Sequence, residues 1–269
     1  MDTAEQLLAA TELERTAEID LAAVDRVDPY GVLLATLIVA HHRERGVHLS
    51  IRWPRRPSVR RELEQMGFAH AVGRDAGAAP RVTETTVPVA AIRRESEISA
   101  IVEAFDRRLQ ECYPLTDASR QRLVSMLFEL FQNIPHHCNA TGEVATPMGM
   151  AAMRDDEDEI ELAVVDKGIG LRRSLALRPG FADLTDASAV NRIVFDGMSR
   201  HIDPGRGGEL RRIAKLVRTW QGTLAIRTGD ALLHMDAERG DVYDSPPFPG
   251  VQIGVRLPRR VLGIEEPPS

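Results

Sequence analysis

The chain has 269 residues, 43% of them hydrophobic, and a formal net charge of −6. That is enough apolar material for a sizeable core, with the length of one large or two modest domains, and the acidic balance argues against broad attraction to nucleic acid. The chain has only two cysteines, and no apolar run reaches the roughly 18 residues a membrane helix needs, so neither a disulfide framework nor a membrane span is expected. The start MDTAEQLLAATELE is acidic and lacks the basic and apolar regions of a signal peptide, which makes the expected compartment cytoplasmic.

In chain order, Glu18 to Val24 reads as a strand. Asp28-Pro29 supplies an N-cap and a proline at the first helical position, opening an apolar helix toward Gly46. Val47 to Trp53 reads as a second strand, and Pro57-Ser58 starts a short helix, with Ser58 as its N-cap, that Gly67 ends. The β-α-β-α order implies a parallel pair. Arg52, Arg55, Arg56, Arg60 and Arg61 cluster here, but with only Trp53 to stack on they read as a solvated face.

Residues 73–95 mix Gly, Ala, Pro and Thr without a helical period and read as a connector, partly extended. From Ser96, taken as an N-cap, Ile98, Ile101, Val102, Phe105 and Leu109 fall on one helical stripe that Pro114 stops. A second helix after Asp117 points Leu123, Leu127, Leu130 and Ile134 inward, and Pro135 should kink or end it. His136, His137 and Cys138 follow, but three adjacent residues on a helix cannot converge on one ion. Thr146 to Arg154 and Ile160 to Asp166 read as strands joined by the acidic turn Asp155 to Asp158, a solvated hairpin tip. A mixed segment runs from Leu171 to Pro204, then a helix from Glu209 to Trp220. Strands at Thr223 to Arg227, Ala231 to Met235 and Val251 to Leu257 complete an α/β sandwich, with helices expected on one face of a mixed sheet.

Three constellations carry chemistry. Glu129 and Asn133, four apart on a helix, share a face: an amide oxygen suits Mg²⁺, and a carboxylate can orient or deprotonate an attacking hydroxyl. Asp166-Lys167-Gly168-Ile169-Gly170 ends an apolar strand, where a buried carboxylate could accept from a base amine while glycines let backbone approach it. Gly205-Arg206-Gly207-Gly208 leads into a helix, the arrangement of a phosphate cradle.

Two resemblances follow from these residues. The stretch from Ile19 to Phe68 resembles a STAS domain, the fold of anti-sigma-factor antagonists, and gives a domain boundary at 1–72, with the connector at 73–95. The position matching the phosphorylated Ser or Thr of that family is Tyr30, so this unit is not expected to accept phosphate from its own chain; its expected role is docking or structural, and if it binds the second domain it would do so as a tethered pseudo-substrate. "FELFQNIPHHC", "VVDKGIGLRRSL" and "GRGGELRRIAKLVRTWQGTLAIRTG" together resemble the nucleotide boxes of the gyrase and histidine-kinase (GHKL) ATPase superfamily, over 96–258, with a tail at 259–269.

That resemblance implies ATP and Mg²⁺ as cofactors. Glu129 becomes the catalytic carboxylate, Asn133 the metal ligand, His137 the basic residue closing the first box, and Asp166 the adenine reader. Gly168 and Gly170 then belong to the base turn, Gly205, Arg206, Gly207 and Gly208 to the phosphate loop, and 171–204 to a lid. By charge alone Arg172, Arg173 and Arg206 are candidate phosphate contacts or, equally, surface arginines. A threonine common near the last strand of such proteins falls at Val251. The implied function is a regulator resembling anti-sigma serine kinases, acting on a STAS-type or sigma-factor-related protein. A non-catalytic nucleotide-dependent switch stands as the alternative, and a homodimer is left open.

Overall fold

The computed structural model describes residues 18–47, 49–73, 80–83, 85–112, 115–138, 149–156, 158–200 and 208–262. Strands β1 (Glu18–Asp20) and β2 (Ser50–Arg52) form a parallel pair with Ile19 opposite Ile51, both shorter than expected. Between them, helix α1 (Pro29–Glu44) opens as its sequence dictates: Asp28 accepts the Gly31 N–H at 2.8 Å, and Pro29 has no N–H to leave unmet. Gly46, at φ 74°, takes the left-handed turn after it. Helices α2 (Pro57–Gln65) and α3 (Phe68–Ala71) follow on either side of Gly67. Ser58 is not a cap: Arg56 holds that position without a side-chain bond, and Pro57 alone sets the start.

Strands β3 (Thr86–Ile92), β4 (Gly149–Asp155), β5 (Glu159–Asp166), β6 (Thr223–Met235) and β7 (Gly240–Pro258) make one sheet in the order β3-β4-β5-β7-β6. Every pairing in it is antiparallel, so the expected mixed sheet is corrected: β4–β5 and β6–β7 are hairpins, and neither crosses over. The connector expected at 73–95 is in its second half the edge strand β3. Pro88 is tolerated there because an edge strand can spare an N–H, and the register with β4 breaks between Val87 and Ala90.

A 3-10 turn (Glu95–Glu97) leads into helix α4 (Ile98–Cys112). Glu97 replaces Ser96 as the residue that organises this start, accepting the N–H groups of Arg93 at 2.7 Å and Arg94 at 3.2 Å, which hold its carboxyl below the usual range. Helices α5 (Asp117–Cys138), α6 (Gly170–Ala176), α7 (Asp186–Val194), α8 (Glu209–Thr219) and α9 (Arg259–Leu262) complete the chain. Pro114, expected to stop α4, lies outside the described residues.

Alternation along the strands divides the core in two. Leu162, Val164, Val251, Ile253, Leu224 and Ile226 face α4 to α8, in one cluster with Phe105, Leu127 and Val217. Met150, Ala152, Ala163 and Val165 face the other way, in one cluster with Tyr30, Leu33, Leu37 and Phe68. The expectation of helices on one face only is therefore corrected. Helix α1, apolar nearly all round, is sandwiched between its own small sheet and the second face of the large one. A row of small residues, Ala152, Ala163 and Gly254, lets it approach closely. A Cβ built on Gly254 would lie 3.0 Å from the Tyr30 ring.

Candidate functional site

Helix α5 carries Glu129 and Asn133 on one face, as their spacing requires. Glu129 Oε1 accepts from Arg212 Nη2 at 3.2 Å, and Arg212 lies in the first turn of α8. Asn133 is half-buried, with no hydrogen-bond partner among the described residues. The helix does not end at Pro135; it continues to Cys138. The side chains of His136, His137 and Cys138 lie outside the described residues, among which no His/Cys/Asp/Glu cluster could hold a metal ion.

Asp166 ends β5 on the same face of the sheet, buried at 5% exposure. Its Oδ1 accepts the N–H of Gly168 at 2.7 Å and of Val251 at 3.1 Å, which ties the turn after β5 to the neighbouring strand β7. Its cross-strand partner is Gly149, where a Cβ would collide with Ile134, the residue after Asn133, at 2.9 Å. A glycine at 149 thus brings the Glu129/Asn133 helix down over the Asp166 row.

Gly170, at φ 77°, turns the chain into α6, and Gly250, at φ 80°, is pressed against Asp166: a Cβ there would sit 2.1 Å from the Asp166 carbonyl oxygen. These are positions where only glycine fits. Gly208, at φ 76°, precedes α8, while Gly205, Arg206 and Gly207 lie outside the described residues.

The described part of the expected lid is two short helices rather than a flap. Leu171 and Leu175 of α6 and Val190 and Val194 of α7 are buried in the core. Arg172 Nε is engaged by Asp186 Oδ1 at 3.1 Å, and Arg172, Arg173 and Asp186, with Gly170, Thr228 and Gly250, line a cavity of about 280 Å³ beside the turn. Glu129 and Asn133 do not line it.

Thr228 escapes a reading of the sequence alone. It is fully buried on β6 directly across from Val251, and its Oγ1 accepts the Leu171 N–H at 3.0 Å. A buried hydroxyl thus lies directly across from Val251. Only the β6–β7 register reveals this.

No family model matches the chain, and no curated protein matches it. Among solved structures, a chain of one described as "The crystal structure of SiaB-SiaC complex from Pseudomonas aeruginosa" is similar at 15% identity and a TM-score of 0.35. The match covers 65% of this chain and 91% of that one. At that score the likeness adds no weight to any functional reading.

Proposed function

We propose that the chain is a nucleotide-responsive regulator that takes ATP with Mg²⁺ between α5 and the Asp166 turn and acts on a STAS-type protein. The observation that carries this reading is the buried Asp166 carboxylate, fixed by two backbone N–H groups and hemmed in by Gly250, in the sheet row next to the Glu129/Asn133 helix. A buried carboxylate is a strong acceptor for an exocyclic amine.

The residues present fit the ligand. Asn133 offers an amide oxygen for a hard cation, and Asp166 an acceptor for the base. ATP would supply the transferable γ-phosphoryl group. Glu129 would hold or take the proton of an incoming hydroxyl, and Arg212 beside it fixes where that carboxylate points.

The same Arg212–Glu129 pair favours a second reading, a non-catalytic switch, because a carboxylate oxygen already engaged by a guanidinium is not turned toward an incoming hydroxyl. Incubation with γ-labelled ATP and the STAS proteins of the same cell separates the two. Label on a partner, lost in Glu129→Gln while nucleotide binding persists, supports transfer. Unlabelled partners whose retention depends on nucleotide support the switch, and partners neither labelled nor retained reject both readings.

A further inference from the structure

Two parts of the Asp166–Gly170 turn region face the N-terminal unit. Lys167, inside the turn and 7% exposed at its side chain, is ion-paired with Glu44 in the last turn of α1. Phe248, in the wall of the cavity beside the turn, is 2% exposed and belongs to the same buried cluster as α1.

That wall is also fixed from the face α1 covers. Arg227 donates to the Pro246 carbonyl at 2.7 Å and Gln252 to the Pro249 carbonyl at 2.8 Å, and both residues are fully buried. One residue beyond Pro249, Gly250 lies against Asp166, and the next N–H, that of Val251, is donated to the Asp166 carboxylate. Displacing α1 therefore frees the turn at Lys167 and loosens the strand that positions Asp166.

We propose that the N-terminal unit is a built-in effector of this turn: docking of α1 on the sheet and ligand binding at the turn form one linked equilibrium, each favouring the other. The choice of Mg-ATP as ligand rests on the reading above; the linkage does not. Such a coupling is reciprocal, so ligand tightens docking by the factor by which docking tightens ligand. The placement also corrects the tethered pseudo-substrate expectation, because Tyr30 is 3% exposed against Gly254, on the face of the sheet opposite Glu129.

Two variants test this. Gly254→Val drives a side chain into the Tyr30 ring, and Glu44→Gln removes the Lys167 partner at an exposed position. In ligand-free protein both should speed amide exchange at 167–171 and 248–251, with exchange in α4 and α5 unchanged. Calorimetry with Mg-ATP should show binding weakened about fivefold, and Mg-ATP should slow exchange along α1 in the unaltered chain.

Unchanged exchange at the turn in both ligand-free variants overturns the linkage whether or not nucleotide binds. Changed exchange without any Mg-ATP binding by the unaltered chain upholds the control of the turn by α1 and removes the choice of ligand, whereas Mg-ATP that binds the variants and the unaltered chain equally overturns the linkage. If Gly254→Val does not fold, Glu44→Gln carries both measurements.

Discussion

Glu161 sits on β5 at 2% exposure, facing the N-terminal unit, with Arg26 at 2.8 Å and Arg256 at 3.4 Å. Burial pushes its carboxyl up from 4.5 to about 7, against the pull of Arg256, Arg26 and Arg154 and with Asp28 adding to the rise. Glu159 and Asp156 share the arginines, which leaves less positive charge for Glu161. Its Oε2 has no hydrogen-bond partner among the described residues, in keeping with a costly buried charge. Because the folded pKa lies above the unfolded one, this group's contribution is full below the unfolded value and is lost as pH rises through about 7. The loss is at most about 3 kcal/mol. Glu161→Gln should therefore gain on the unaltered chain as pH rises from 5 to 8, read as the difference in Tm; a difference constant over that range would contradict the assignment.

Thr228 makes a separate prediction at the same scale. Thr228→Val keeps the volume but strands the buried Leu171 N–H, at a cost of about 1–3 kcal/mol. Urea denaturation should show this loss, and Thr228→Ser should recover most of it. No loss in Thr228→Val, or a loss in Thr228→Ser as large as in Thr228→Val, would contradict this role for the hydroxyl.

Among the elements, α1 does the most to join the two parts of the molecule, and Asp28 is its start. Asp28→Ala removes the acceptor for Gly31 and a carboxylate 3.6 Å from Arg256, and should cost about 1–2 kcal/mol. Asp28→Asn keeps the cap and should lose less; if the two variants are equal in thermal unfolding, the cap is not the source.

The helices were legible because their apolar stripes are: Ile98, Val102, Phe105 and Leu109 are all buried in α4, as their spacing implies. The second covered face was also written in the chain. Met150 to Met153 and Leu162 to Val165 are apolar without alternation, the mark of strands buried on both sides. Strand β3 was hidden by Pro88, and the first half of β7 by Pro246, Pro247 and Pro249, which read as loop. The antiparallel sense of the sheet leaves no trace in any single strand. At the site, Asp166, Gly168 and Gly170 were legible as a strand-ending turn. Thr228, Gly250 and the Arg212–Glu129 pair were not, since each depends on register or on how distant elements meet.

At the scale of the whole molecule, one antiparallel sheet serves two purposes. One face seats the helices that carry Glu129 and Asn133; the other seats α1, which reaches back to the turn through Lys167. Among the described residues no helix is long and apolar enough to cross a membrane. In the proposed function this arrangement holds an adenine nucleotide at Asp166. Asp166→Asn separates the site from the fold, because asparagine keeps an oxygen for Gly168 and Val251 but turns the other acceptor into a donor.

The most direct measurement is calorimetric titration of the full chain and of Asp166→Asn with Mg-ATP. The account predicts saturable one-to-one binding, weakened about tenfold in Asp166→Asn at unchanged Tm, which corresponds to about 1.4 kcal/mol for the lost acceptor. No heat of binding at millimolar nucleotide from a chain shown to be folded, or equal affinity in the two proteins, would contradict it.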